Sequence, residues 1–188
     1  MGAEPSRRDV LAEAATDYVL EHGLIGLSLR PLAAALGTSD RMLLYHFGGK
    51  DDLVAAVLKV SNDRSVAQIA GLHRARDVRS AVLQLWEAMT TVSLLGCQRM
   101  YVEAAALGLF GREPYAGVVG GANRVWMAAV ADHLVASGMP RRRAARATTL
   151  LDAAFSGFLL DLPFVEEARA HLRAVRDLAD AVAAIAGS

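Results

Sequence analysis

The sequence predicts an all-α protein. Three observations carry that expectation. Apolar residues recur at three- and four-residue spacing along nearly the whole chain, alanine is very frequent, and no stretch alternates apolar and polar residues as a half-buried strand would. At 188 residues the chain fits one domain or two small ones. It is 54% hydrophobic, and its 20 basic residues balance 20 acidic ones, so it is a folding sequence and not a disordered one.

The elements follow in order. Val10, Leu11, Ala14, Ala15, Tyr18 and Val19 repeat at helical spacing, and Gly23 stops that helix after His22. Ser28 is placed to cap a short second helix over residues 29–36, with Pro31 in its first turn, where no amide donor is needed. Thr38 or Ser39 caps a third helix reaching Phe47. Asp51 or Asp52 starts a fourth that runs through Leu53, Val54, Val57 and Leu58 beyond Ser65. Residues 77–95 read as a fifth, with Val78, Val82, Leu85 and Met89 on one side, and 97–109 as a sixth. Gly108, Gly111, Pro114, Gly117, Gly120 and Gly121 predict a loop. Residues 125–135 return to a helix that stops at Gly138. Pro140 opens the next, and Pro163 opens the last, which ends near Gly187.

Other classes are set aside on composition. The longest uncharged apolar stretches are shorter than a membrane span and carry Gly, Gln or Thr, and "MGAEPSRRDV" has no apolar signal segment. The single cysteine, Cys97, permits no internal disulfide, which suits a reducing cytoplasm; its plain reading is a small buried hydrophobe. His22, His46, His73, His133 and His171 show no metal-ligand spacing, so neither metal nor cofactor is expected. Net charge does not announce nucleic-acid binding. Residues 1–50 set Arg7, Arg8, Arg30, Arg41 and Lys50 against Glu4, Asp9, Glu13, Asp17, Glu21 and Asp40, leaving the segment one charge negative.

Placement is more telling. In "LAAALGTSDRMLLYHFGGKDDL" two short helices meet at a turn containing Gly37, which reads as helix-turn-helix. Ala33 lets the helices approach, Gly37 accepts the positive φ of the turn, and Leu43 fills the space between. Rotating the third helix at about 100° per residue puts Leu43 and Phe47 on the core side. Arg41 and Tyr45 then lie nearly opposite, flanked by Met42 and Leu44. A guanidinium, a phenol and two apolar groups suit a DNA major groove, where Arg pairs with guanine and apolar groups meet thymine methyls. The plain alternative is an ordinary helical hairpin whose outer apolar residues pack on a neighbour. Lys50, a flexible cation just past Gly48-Gly49, and the backbone near Ser28 are placed for phosphates. The cluster Arg141, Arg142, Arg143 and Arg146 reads as a solvated helix face.

The segment "GLSLRPLAAALGTSDRMLLYHFGGKDDLV" resembles the DNA-binding signature of the tetracycline-repressor (TetR/AcrR) family of bacterial transcription regulators. The resemblance covers roughly residues 8–55 and rests on Gly23, Ser28, Leu32, Ala33, Gly37, Ser39, Leu43, His46, Phe47, Lys50 and Leu53. It implies a three-helix DNA-binding domain over 1–55 and a helical ligand-binding and dimerisation domain over 56–188. Carried over residue by residue, it makes Arg30, Asp40, Arg41, Met42 and Tyr45 candidate base-side residues, and Ser28, His46 and Lys50 candidate phosphate contacts. One position departs. The family usually has Tyr where this chain has Leu44, so the phosphate-contacting hydroxyl is absent there and Tyr45 is the next phenol along.

In the remainder, Trp86, Met89, Met100, Tyr101, Phe110, Trp126 and Met127 are candidate linings of an apolar pocket, and their plain reading is core. Two amphipathic segments carry Ala147, Leu150, Leu151, Ala154 and Phe158, then Leu172, Val175, Leu178 and Val182. Paired with a symmetry mate they make a four-helix homodimer interface. The expected protein is therefore a cytoplasmic, dimeric regulator, most often a repressor in that family. It would bind a double-stranded palindromic operator and respond to a small molecule, with no membrane and no catalysis. The alternatives are a small all-helical enzyme with a pocket near Trp126, and a helical protein-interaction module. No Ser-His-Asp, paired-carboxylate or nucleophile arrangement supports the enzyme.

Overall fold

The computed structural model describes residues 4–187, and within them it is helical throughout, with no strand. The helices are α1 (Arg7–His22), α2 (Leu29–Ala35), α3 (Asp40–Phe47), α4 (Lys50–Ala70), α5 (Val78–Met89), α6 (Val92–Leu109), α7 (Tyr115–Ala136), α8 (Arg141–Asp161) and α9 (Ala168–Gly187), with a 3-10 turn at Leu162–Phe164.

Local chemistry explains most boundaries. Ser6 begins α1 with a capping box: its hydroxyl accepts the Asp9 N–H at 3.2 Å, and the Asp9 carboxylate accepts the Ser6 N–H at 3.1 Å. The Ser6 hydroxyl, donating to the Asp9 carboxylate at 2.6 Å, and after it the Ser6 N–H hold the Asp9 carboxyl below its ordinary range. Gly23 ends α1 at φ 89°. Ser39, not Thr38, caps α3, its hydroxyl accepting the Met42 N–H at 3.2 Å. Asp77 caps α5 through the Ser80 N–H at 2.7 Å.

Four expectations are corrected. The expected fifth helix over 77–95 is two. Thr90 and Thr91 return their hydroxyls to the carbonyls of Trp86 and Ala88, at 3.0 and 2.8 Å, and so end α5, after which α6 starts afresh. The glycine-crowded segment is mostly helix, not loop. α6 runs through Gly108, and α7 already contains Gly117, Gly120 and Gly121. Gly108 serves close packing: a Cβ there would stand 3.1 Å from the Ala116 nitrogen in the first turn of α7. Only Gly111, at φ 70°, is a true turn glycine. Pro163 lies in the 3-10 turn, and α9 begins five residues later at Ala168. Finally, α8 with its 3-10 extension is long and apolar enough to cross a membrane by length and composition, which the sequence reading excluded. Its Ala144, Ala147, Leu151, Phe155 and Leu159 are instead packed in a protein core.

The chain forms two compact units, Met1–Arg64 with Gly96–Asn123 and Ser65–Leu95 with Arg124–Ser188, so α4, α6 and α7 each give residues to both. The first has a core of Leu11, Ala15, Val19, Leu32, Leu43, Phe47, Leu53 and Val57, joined by Met100 and Ala104 from α6. Arg64 bridges Glu13 and Asp17 of α1 at 2.5 and 2.6 Å. The second centres on Trp86, Leu134, Leu151, Phe155, Val175 and Val182. There α5 packs on α9, tied by Arg79 to Asp180 at 2.5 Å. Arg143, read from sequence as part of a solvated cluster, instead donates to the Ile185 and Ala186 carbonyls at 2.9 and 2.8 Å and so caps the end of α9; Arg141, Arg142 and Arg146 are exposed.

Candidate nucleic-acid interface

The expected turn is built as the residues require. Gly37 sits at φ 64°, and a Cβ there would meet nothing, so glycine is needed for backbone conformation alone. The Thr38 N–H closes the turn on the Ala33 carbonyl at 2.9 Å. Ala33, Leu43 and Phe47 are all buried, so the four residues assigned to the hairpin core, Gly37 included, have the places their types suggested.

With Leu43 wholly buried, α3 turns its other side out. Arg41, Met42, Leu44 and Tyr45 are exposed, Tyr45 at 78%. Tyr45 meets His46 edge-on at 5.4 Å between ring centres, which limits its swing. Asp40 spends one carboxylate oxygen on the Arg41 N–H at 2.9 Å, in the first turn of α3, where a negative charge suits the helix dipole. That bond gives the acid a structural task beside the exposed face of α3. Arg30 is exposed on α2, and Ser28 stands exposed at its N-cap without spending its side chain on a cap bond. Gly48, left-handed at φ 81°, ends α3 by donating to the Leu44 carbonyl at 2.8 Å.

Lys50 is less free than its flanking glycines suggested. Its ammonium donates to the Leu27 carbonyl at 2.6 Å, just ahead of α2. An ammonium has three donors, so this bond fixes its place and leaves capacity for a phosphate. Lys50 also lines a groove of about 270 Å³ with Leu24, Gly26, Leu27, Leu107, Arg112 and Tyr115. Burial, with Asp51 nearby, raises the Tyr115 phenol above its ordinary value.

Three contacts of this unit escaped the sequence reading. Arg8 lies over the Phe47 ring at 5.2 Å from its centre, covering the back of α3. Glu103 and Arg99 on α6 bond to the backbone around the end of α1. No local signal marks such partners, because the bonded residues are 78 and 79 positions apart.

The candidate pocket residues divide between the units. Trp86, Met89, Trp126 and Met127 belong to the second; Met100, Tyr101 and Phe110 belong to the first. Trp86 and Met89 are buried, with Trp126 packed against the same core. Trp86 sits among rings, 5.5 Å from Phe155, 6.0 Å from Phe158 and 5.5 Å from His171. Met100 is core of the first unit, and Tyr101 and Met127 are half-buried. Phe110 is corrected: just past the end of α6 it is 83% exposed and lines no enclosed space. Cys97 is buried and unpaired, as a small hydrophobe. Of the interface candidates, Ala147, Leu151, Val175 and Val182 are corrected too, because they are buried in their own unit's core and have no surface to offer. Leu150 and Leu172 are exposed, while Ala154, Phe158 and Leu178 are half-buried. Among the described residues no cluster of His, Cys, Asp or Glu has metal-site geometry.

The whole is an all-helical protein with an N-terminal helix-turn-helix whose third helix presents a mixed polar and apolar face. Residues 11–57 match the family model described as "Bacterial regulatory proteins, tetR family". That match covers the helix-turn-helix segment, where the signature residues had pointed to the same resemblance. No curated protein matches the chain. Solved structures share the fold over nearly its full length. A TetR transcriptional regulator from Legionella pneumophila superposes with a TM-score of 0.72 at 15% identity, covering 97% of this chain and 100% of that one. A transcriptional regulator from Rhodococcus sp. Rha1 gives 0.70 at 20% identity, covering 94% and 96%. The multidrug binding protein EbrR, complexed with ethidium, gives 0.69 at 21% identity, covering 95% and 99%.

Proposed function

We propose that this chain is a cytoplasmic, dimeric, ligand-responsive transcription regulator that binds a palindromic DNA operator, and that it acts as a repressor. The observation that carries the reading is the outer face of α3, where Arg41, Met42, Leu44 and Tyr45 stand exposed on a helix fixed from behind by Leu43 and Phe47. Arg41 and Tyr45, with Arg30, Asp40 and Met42 beside them, address base edges. Ser28, His46 and Lys50 address phosphates, and Tyr45 takes over part of what the absent phenol at Leu44 would do. Residues 1–55 supply the reading head. Residues 56–188 supply the dimer contact and a binding place for a small apolar molecule around Trp86, Met89 and Trp126. The fold shared with EbrR, a protein described as multidrug binding, supports a small-molecule effector.

Regulation follows from linkage. A molecule that binds better when the two heads are wrongly spaced for one operator lowers DNA affinity by the ratio of its two affinities. The test is selection of duplexes by the purified protein from a random-sequence pool, followed by gel shift of the survivors. A shared two-fold symmetric sequence, bound far more tightly than shuffled DNA, is the expected result. Enrichment of no sequence would overturn the reading.

A further inference from the structure

We infer that Glu103, far outside the helix-turn-helix segment, is a positioning residue of the reading head. One oxygen of its carboxylate accepts two successive backbone N–H groups, Leu24 at 2.6 Å and Ile25 at 2.7 Å. Those amides form the corner between α1 and α2. Bonds to an ionised acceptor are about twice as strong as neutral ones. A single side chain therefore fixes two consecutive peptide units of a non-helical segment, whose own backbone makes only the turn bond from the Leu27 N–H to the Leu24 carbonyl at 3.1 Å.

The neighbouring residues are arranged for this contact. Gly23 has φ 89°, which the turn requires of a glycine, and a Cβ there would stand in ordinary contact, 3.4 Å, with the Glu103 carboxylate, so the acid lies directly against the turn. One turn earlier on α6, the Arg99 guanidinium donates to the Leu20 carbonyl, satisfying an end of α1. Another turn back, Gly96 faces the Leu20 side chain, which a Cβ there would meet at 3.5 Å, an ordinary contact distance. Gly96, Arg99 and Glu103 thus hold a single register along α6 against the last turn of α1 and its exit. Met100 and Ala104 are buried in the same core between them.

The corner is positioned to matter. From Leu24 and Ile25 the chain reaches Leu27, whose carbonyl holds the Lys50 ammonium and so ties the start of α4 to the approach to α2. Ser28 and α2 follow at once. A shift at the corner therefore moves Ser28 and Lys50 together, two of the proposed phosphate contacts. The inference rests on the DNA-reading function proposed above, and extends the working head beyond residue 55 to α6.

The test compares wild type, Glu103→Ala and Glu103→Gln. Amide exchange at Leu24 and Ile25 is measured without DNA, and affinity is measured both for the best duplex selected by the wild type and for shuffled DNA. Loss of a charge-assisted acceptor should speed exchange at these two amides by about tenfold or more in the Ala variant. Val57, in the same core, should be unaffected. Affinity for the selected duplex should fall by about tenfold and binding to shuffled DNA by clearly less, because displaced phosphate contacts weaken both complexes while lost register harms only the fitted one. Gln, keeping one neutral acceptor, should recover part of both effects. Unchanged exchange at Leu24 and Ile25 in the Ala variant would overturn the contact itself. Faster exchange with equal losses on both DNAs would reduce Glu103 to a stabilising residue and overturn the positioning role. If the wild type selected no sequence, the DNA function and Glu103's part in it would fall together, while the exchange arm would still decide whether the carboxylate holds the corner.

Discussion

Tyr45 and Arg41 share the face of α3 opposite its buried seam, and neither side chain contributes to the core. Their removal should separate binding from stability. Arg41→Ala should cost about 1–3 kcal/mol of specific affinity if the guanidinium grips a guanine edge in two places, and should relax the preference at that base. Tyr45→Ala should weaken the same complex. Both variants should melt within about 0.5 kcal/mol of wild type, as exposed positions usually do. Early melting with normal binding would assign the face wrongly. Arg41→Lys is the sharper control, since a lysine keeps the charge but cannot form the two-pronged contact.

At the scale of elements, what was legible in the sequence and what was not divide by range. α1 to α4 follow from local signals: a capping Ser39, a turn at Gly37, and the seam of Leu43 and Phe47. Those signals act within one or two turns of chain, so sequence order contains them. Glycines at 117, 120 and 121 misled because a glycine inside a helix looks the same in sequence as one needed for a turn; Gly108, where a Cβ would crowd the start of α7, is held to glycine by packing. Glu103 and Arg143 were silent because their carbonyl and amide partners belong to distant segments that only folding brings close. α7 carries a further consequence. His133 is buried, its Nε2 has no protein partner, and burial pushes its imidazole below the ordinary 6.5. On acidification the unfolded chain takes up that proton first. Stability is therefore full above about pH 6.5 and is lost as pH falls through that value toward the lower folded pKa. His133→Leu should remove this component, narrowing the gap in denaturation midpoint between about pH 7.5 and pH 5.5 relative to wild type. An unchanged gap would show that the ring is not desolvated as its surroundings indicate.

Assembly belongs to the whole molecule. A head of nearly neutral charge gains little from general attraction to DNA, and one head alone buries too little surface for tight, selective binding. Two heads joined by symmetry overcome both limits, provided the second unit offers a face for a partner copy. Leu150, Leu160, Phe164 and Leu172 are exposed along α8, its 3-10 extension and α9, with Ala154 half-buried among them on α8. Exposed apolar residues on these elements favour burial against a second molecule. A small residue at 154 permits close approach of a symmetry-related helix. The wild type should therefore sediment as a dimer at micromolar concentration without DNA. Ala154→Trp should overpack the contact by about 1–3 kcal/mol or more and shift the population toward monomers. Those monomers should remain folded, because the indole would project where the isolated unit is partly open, and they should lose preference for two-fold symmetric sites over single half-sites. A dimer unaffected by the tryptophan would move the contact to another face. A wild type that sediments as a monomer would remove the two-headed arrangement, and with it the reason for expecting a palindromic operator.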